Sequence, residues 1–413
     1  MTPAAVTVAA DGREVGVRRI AVFTGNRAEW GHLATIVRGV ADVPGLEPVL
    51  LVGAGHLDET FGRTANEIEA EGFEVAAVIE SDAGSTARAI GKGVLSAAEA
   101  IARLKPDALL LYGDRFEALA VAIAASQSNL PLLHVEGGDK TEGGALDDSV
   151  RHAITKLAHL HFATNADAAA RIARLGEEPW RIHDTGLPAL DRIVAGDFPA
   201  AEEVAARLDL DLGRPLIVFT QHSVTTEADQ ASAQVKPSLD AMDDAIERLN
   251  AQVVATYPNL DDGGRDILAR LQDWAERRRD VRLRPSLGRA LYHGALNVAG
   301  RVTPGACLGN SSSGIKETAV FGCPTVNVGT RQEGRLAPAN VVHVGYDRAE
   351  ILAALERCVT DAAFRHRAAT AENPYGAGDT GRRIAQVIAA TDWRDPAILR
   401  KRHLLDETDA KGR

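Results

Sequence analysis

Between Gly113 and His159 the chain reads GDRFEALAVAIAASQSNLPLLHVEGGDKTEGGALDDSVRHAITKLAH. Asp114, Arg115, Glu117, Glu136, Asp139, Asp147, Asp148, Arg151 and His152 surround two short apolar runs there. Ordinary connections do not place so many ionisable groups at strand ends. Carboxylates converging beside arginine suit proton transfer on an anionic substrate. Asp114 follows the run 108–112 with one glycine between, where ligands bind in open parallel sheets. It reads either as an acid/base or substrate-orienting carboxylate, or as the N-cap of a helix from Arg115. Glu136 stands in the same relation to the run 130–135. The Gly137-Gly138 pair behind it suits a loop whose backbone approaches a ligand, and capping explains it less well. Asp147 and Asp148 precede Arg151 and His152 on a helix, and acidic first-turn residues complement the helix dipole. Capping therefore accounts for at least one of the two.

A second group of residues suits a phosphate. Gly309-Asn-Ser-Ser-Ser-Gly314, with Ser311 and Ser312, lies between an apolar run and a helical segment. Such a turn binds phosphate through free backbone N–H groups and hydroxyls, or is a plain Ser/Gly capping turn. Arg331 and Arg335 follow the next apolar run and could grip a diphosphate bidentately. Arg27, in Thr24-Gly-Asn-Arg27, ends the first run of the chain in the same way. His222, in Gln221-His-Ser-Val-Thr-Thr226, is either an active-site imidazole or a histidine satisfied by its own loop.

Positioning these groups requires strands that end beside them. Short apolar runs at 19–24, 48–53, 74–79, 108–112, 130–135 and 161–163 alternate with helical segments at 28–40, 85–104, 115–126, 147–158 and 167–175. The stretch Asp184-Thr-Gly-Leu-Pro-Ala-Leu190 reads as a boundary, after which the alternation restarts. Runs at 216–220, 252–257, 281–283, 306–309 and 325–328 then alternate with helical segments at 229–249, 265–277, 286–299, 312–321 and 347–360. This pattern predicts an α/β fold of two doubly wound, parallel-sheet domains of similar size facing a central cleft. Residues 1–17 lack periodicity and are expected to form a flexible leader.

Composition narrows the function classes. A chain of 413 residues exceeds the usual single core, and 45% apolar with 25% charged residues is ordinary for a soluble globular protein. The net charge of −11, from 46 basic and 57 acidic side chains, opposes non-specific nucleic-acid binding. No run approaches the roughly 20 apolar residues of a membrane span, and no secretory signal pattern opens the chain. Cys307, Cys323 and Cys358 are too scattered for a disulfide framework or zinc site, so a reducing cytoplasm is expected.

The strings TGNRAEW, GDRFEALA, HVEGGD, LDDSVRHAITKLAH, QHSVTT, YPNLDDGGR, GNSSSG and GTRQEGR together resemble the hydrolysing UDP-N-acetylglucosamine 2-epimerase family, in family order from about residue 18 to about 345. QHSVTT with YPNLDDGG is similar to the epimerases of sialic-acid precursor synthesis. The resemblance implies a GT-B-like fold with Rossmann-like domains at 18–185 and 186–380, the second binding UDP. It also implies that segment 381–413, a helix and tail, packs back on the first domain. The implied reaction is UDP-GlcNAc plus water giving UDP and N-acetylmannosamine, with no metal and no nicotinamide or other cofactor. Asp114, Glu136 and one of Asp147 or Asp148 match the family's catalytic carboxylates. His222 matches its active-site histidine, which would protonate the leaving phosphate or hold it as a cation. Arg27, Arg115, Ser311, Ser312 and Arg331 match diphosphate contacts, Glu317 matches a ribose contact, and Asn259, Asp261 and Arg265 fall in a cleft-facing loop. A homodimer or homotetramer is implied.

Departures from the family are a tryptophan at Trp30 for the usual tyrosine, Ser223 for proline, and one extra residue in the acidic loop 139–147. Four other functions fit parts of the pattern. The same chemistry could act on UDP-N,N′-diacetylbacillosamine, which differs at C4 and C6. A non-hydrolysing epimerase carries an arginine-rich string where QHSVTT stands. A GT-B glycosyltransferase would not need the carboxylate cluster, and a UDP-sugar sensor would not need its carboxylates intact.

Overall fold

The computed structural model describes residues 7–8, 14–57, 64–82, 84–140, 146–259 and 261–404. Most of the expected leader, at 1–6 and 9–13, lies outside the described residues; Thr7–Val8 (β1) pairs antiparallel with Glu14–Val15 (β2). The chain divides into two compact units, Met1–Arg192 with Tyr375–Arg413, and Ile193–Pro374.

The first unit holds a seven-stranded parallel sheet. Its strands are β3 (Arg18–Thr24), β4 (Leu46–Gly53), β5 (Val75–Ile79), β6 (Ala108–Tyr112), β7 (Leu132–Val135), β8 (Leu160–Ala163) and β9 (Ile182–Asp184). They lie in the order β5-β4-β3-β6-β7-β8-β9. Central strands such as Ala108-Leu-Leu-Leu-Tyr112 are buried throughout, as expected where helices cover both faces of a parallel sheet. Side chains alternate between the faces. Ile20 and Val22 join one core with Leu33, Ile36 and Val37 of the helix Arg27–Ala41 and with Ile384 and Ile388 of Thr380–Ala390. Ala21 and Phe23 join the other, with Ala97 and Ile101 of Thr86–Leu104 and Val121 and Ala125 of Phe116–Gln127.

The second unit repeats the plan with six parallel strands. These are β10 (Leu216–Thr220), β11 (Gln252–Thr256), β12 (Val281–Arg284), β13 (Gly305–Gly309), β14 (Thr325–Val328) and β15 (Val341–Val344). Their order is β12-β11-β10-β13-β14-β15. In each sheet the chain starts centrally, builds outward, then crosses back to the other side of its first strand. The crossing leaves a switch point at the carboxyl ends of β3 and β6 in one unit and of β10 and β13 in the other, where doubly wound sheets bind ligands.

Two unexpected strands complete the sheets. β9 has only three residues, and β15 is half-exposed, so neither carries a strong apolar signal. The helix expected at 312–321 is instead a short α-helix, Ser312–Lys316, followed by the 3-10 turn Thr318–Phe321. Here the Thr318 hydroxyl donates back to the Gly314 carbonyl at 2.7 Å, a bond that competes with regular helix. No described helix is long and apolar enough to cross a membrane.

Candidate active site

In the first unit the helix Phe116–Gln127 takes Arg115 as its N-cap and draws no side-chain capping bond. Asp114 is therefore not its cap. Its carboxylate pairs with the Arg151 guanidinium, a group only 4% exposed. Arg151 Nη1 also donates to Asp148 Oδ1 at 2.6 Å and to the Asp139 carbonyl at 3.0 Å. A buried guanidinium is tolerated only with such partners, and removing one costs about 3–5 kcal/mol. Asp148 reaches Arg151 by i,i+3 spacing along the helix Leu146–Leu157, while Asp147 is exposed on its first turn.

Glu136 follows β7 directly with φ +66, a left-handed conformation that a non-glycine residue adopts at a cost. Its carboxylate accepts a hydrogen bond from the buried Tyr112 hydroxyl. Burial first, then Glu136, pushes the Tyr112 pKa well above its ordinary value. Tyr112 also feels the charges of Asp139 and Arg151, so the carboxylates and the guanidinium share one neighbourhood. The glycine at 138 is required there: it has φ +72, and a Cβ would strike the Ala168 carbonyl. His134 ties the parts together, with Nε2 at 2.8 Å from the Gly113 carbonyl and Nδ1 at 3.2 Å from the Thr155 hydroxyl. Burial lowers its pKa to about 3, so it is a neutral strut at pH 7.

Arg115 forks onto Glu117, with contacts of 3.0 and 3.2 Å, and its side chain stays half-exposed. Nearby, buried Glu29 accepts from the Gly25 amide at 2.6 Å and from the Asn26 side chain at 3.0 Å, and burial raises its pKa to about 7. Arg27 opens the helix Arg27–Ala41, but its side chain lies outside the described residues. Residues 141–145, within the loop 139–147 expected to hold one extra residue, also lie outside the described residues. A cavity of 320 Å³ opens at the carboxyl ends of β3, β4 and β5, lined by Gly25, Gly53, Glu80, Asp82 and Glu117 among others.

In the second unit one side chain holds the switch point together. Asn310 Oδ1 accepts from the His222 amide at 2.7 Å, and its Nδ2 donates to the His222 carbonyl at 2.9 Å. The Asn310 carbonyl in turn accepts from Arg331 at 3.2 Å and Gln332 at 2.8 Å. His222 Nδ1 accepts from the Asn259 amide at 3.0 Å, which leaves the proton of the neutral ring on Nε2. Burial, reinforced by Arg331, lowers its pKa to about 4. The ring is thus a neutral donor at pH 7 in this setting.

Ser311 is the N-cap of Ser312–Lys316, its hydroxyl 3.1 Å from that of Ser313, and Ser312 is half-buried beside it. Glu317 pairs with His293 at 3.1 Å. Asp261 accepts from the Asn259 side chain. Arg265 is exposed on the first turn of Gly264–Glu276 and joins none of these contacts among the described residues.

The structure therefore gathers Asp114, Asp148 and Arg151 in one unit, and His222, Asn259, Asn310 and Arg331 in the other. Arg151 lay in the charged stretch without a role, and Asn310 within GNSSSG had none either. His134 lies inside HVEGGD, two positions before Glu136, and had no role there. Among the described residues no three His, Cys, Asp or Glu side chains form a group that could hold a metal.

Comparison with known proteins adds to this geometry. The family described as UDP-N-acetylglucosamine 2-epimerase matches residues 39–389. A Legionella pneumophila protein named UDP-N,N′-diacetylbacillosamine 2-epimerase (hydrolyzing) is 33% identical, covering 90% of this chain and 96% of its own. A Neisseria meningitidis protein named UDP-N-acetylglucosamine 2-epimerase is 31% identical, covering 90% and 95%. The fold is similar to a solved N. meningitidis UDP-GlcNAc 2-epimerase bound to UDP-GlcNAc, with TM-score 0.72 at 16% identity over 91% of this chain and 100% of that one. At that identity the likeness speaks for the GT-B-like fold alone.

Proposed function

Because this chain belongs to the UDP-N-acetylglucosamine 2-epimerase family, we propose that it converts UDP-GlcNAc and water to UDP and N-acetylmannosamine. The observation that carries the reading is the carboxylate cluster around Arg151, together with Glu136 held in a strained conformation. Sugar transfer to an acceptor would not require several carboxylates at the carboxyl end of one sheet.

The chemistry begins with a carboxylate removing the C2 proton while the C1–O bond to UDP breaks, which leaves a 2-acetamidoglucal. A second carboxylic acid then delivers a proton to C2 from the opposite face while water adds its hydroxyl to C1, and the proton that water sheds passes to a carboxylate. Asp114, Glu136 and one of Asp147 or Asp148 are the candidates for these transfers. Asp148 is committed to Arg151, whereas Asp147 is exposed, so Asp147 is the freer of the pair to meet a substrate. Charge developing on the departing diphosphate is met by the neutral Nε2–H of His222 and by Arg331, with Arg27, Arg115, Ser311 and Ser312 as further diphosphate contacts. Glu317, Asn259, Asp261 and Arg265 are assigned to the nucleoside end.

A second substrate, UDP-N,N′-diacetylbacillosamine, is favoured by the name of the 33%-identical relative from L. pneumophila. Both substrates carry the C2 acetamido group and leaving UDP that this chemistry needs. Incubating the protein with each in turn, and measuring free UDP and free 2-epimeric sugar, tests the reading and chooses between them. Equal release of UDP and a free N-acetylmannosamine-type sugar from either supports it. A UDP-linked 2-epimer with no free UDP would instead make the reaction the reversible, non-hydrolysing one.

A further inference from the structure

The helix Leu146–Leu157 carries Asp148 and Arg151 near one end, and its other end is held by a segment from the far end of the chain. After the helix Thr380–Ala390 the chain runs back across the first unit. Fully buried Arg181 donates to the Ala397 carbonyl at 2.6 Å and the Ile398 carbonyl at 2.9 Å. The Arg402 amide donates to Glu178 at 3.2 Å, and the Leu404 amide to the Gly176 carbonyl at 2.8 Å. This run delivers Lys401, whose side chain is only 8% exposed, to the end of the helix.

Lys401 Nζ donates to the Lys156 carbonyl at 2.9 Å and the Ala158 carbonyl at 2.6 Å. Helix-end carbonyls lack partners within the helix, and a cation there also complements the dipole. The same ammonium lies 2.7 Å from Glu177, a wholly buried carboxylate that also accepts from Lys156 at 2.6 Å and meets His161 at 3.1 Å. Burial opposes the charge on Lys401, and Glu177 supports it. The end of this helix is thus fixed by a residue nearly 250 positions away in sequence, at |i−j| of 245 from Lys156.

We propose that Lys401 is a positioning residue for the reaction: by holding the end of the helix Leu146–Leu157, it sets where Arg151 places Asp114 and Asp148. The inference rests on the proton-transfer role proposed for Asp114 above, with Asp148 as the second partner that fixes Arg151. Arg151 precedes Lys156 by five residues, about 7.5 Å along a helix axis, so the helix transmits tilt or slippage with little loss. A misplacement of about 1 Å at reacting groups can cost on the order of 100-fold in rate. A helix end-cap that served stability alone would leave turnover per folded molecule unchanged.

The test compares full-length Lys401→Met and Lys401→Arg with the unaltered chain, reading kcat, KM, UDP affinity and amide hydrogen exchange over residues 148–155. Lys401→Met is expected to lower kcat about 10- to 100-fold with UDP affinity within about twofold, and to speed exchange along the helix. Lys401→Arg keeps donors for both carbonyls and for Glu177, and should recover kcat to within about threefold. Unchanged kcat in Lys401→Met overturns the proposal, as does a parallel loss of kcat and UDP affinity. If Lys401→Met does not accumulate folded, Lys401→Gln removes the same charge and is read the same way. If the unaltered chain turns over no UDP-sugar, the functional reading fails by itself. Hydrogen exchange then tests only the hold on the helix end: the positioning role for the reaction falls with the reading it rests on, and unchanged exchange in the Met variant would end the hold as well.

Discussion

With Nδ1 accepting from the Asn259 amide, His222 has one proton to offer, and at pH 7 it offers it as a hydrogen bond from a neutral ring. Glutamine can place an amide N–H near the position of Nε2, whereas alanine cannot. His222→Gln should therefore retain at least about tenfold more kcat/KM than His222→Ala, in line with the 10²- to 10³-fold effect of removing one charge-stabilising donor. Equal loss in both variants would mean that the ring must surrender a proton. The residue types at this site were legible from motifs, because carboxylates, serines and arginines at strand ends announce their chemistry. Their states were not. The tautomer of His222 depends on a backbone amide 37 positions away, and the partner of Asp114 lies a further helix along the chain. Asp147 and Asp148 could not be told apart from adjacent identical side chains; helix phase separates them once Arg151 is placed.

Strand ends were the most legible elements, since each apolar run stops where a polar motif begins. The runs at 108–112 and 216–220 coincide with β6 and β10, and Asp114 and His222 each follow the strand end after one intervening residue. β9 and β15 escaped because they are short or half-exposed, and the 3-10 turn after Ser312–Lys316 depends on a threonine bonding backward. Close packing of backbones was also unreadable in advance. Thr220 pairs with Gly309 in the β10–β13 register, and Gly309, at φ +126, has no room for a Cβ against the Thr220 carbonyl. Gly309→Ala must push the strand ends apart and pull Asn310 from His222. It should cost roughly 3 kcal/mol of stability by denaturant titration, a size expected for a special backbone position. UDP affinity should fall with it. A variant of unaltered stability and UDP affinity would show that the clamp by Asn310 does not depend on this approach.

At the scale of the whole chain, two similar doubly wound units and the family follow from patterns spread over most of the sequence, whereas the buried charges of the core do not. Burial lowers the pKa of His56 and His159 to about 4 and of His134 to about 3. Glu177 behaves differently: burial alone would raise its pKa, but bonds from His161, Lys156 and Lys401 outweigh it and hold the value at about 2. All four folded values lie below the unfolded ones. The histidine contributions are complete above about pH 6.5, and that of Glu177 above about pH 4.3; each is lost as pH falls through its folded value. Each such histidine costs about 1.4 kcal/mol for every pH unit descended below 6.5 until its folded pKa is reached. Thermal melts should fall from below about pH 6.5 and collapse before pH 3; a flat profile down to pH 4 would show that these groups titrate normally. The central claim concerns C2 of the sugar, and one measurement reaches it directly. The protein is incubated with a UDP-2-acetamido sugar in D2O and the sugar is followed by proton NMR. The account predicts free UDP and a free 2-epimer carrying one deuterium at C2, since the proton removed and the proton returned pass through carboxylates on opposite faces. A free 2-epimer that keeps its original C2 proton, or a sugar released with unchanged C2 configuration, would contradict it.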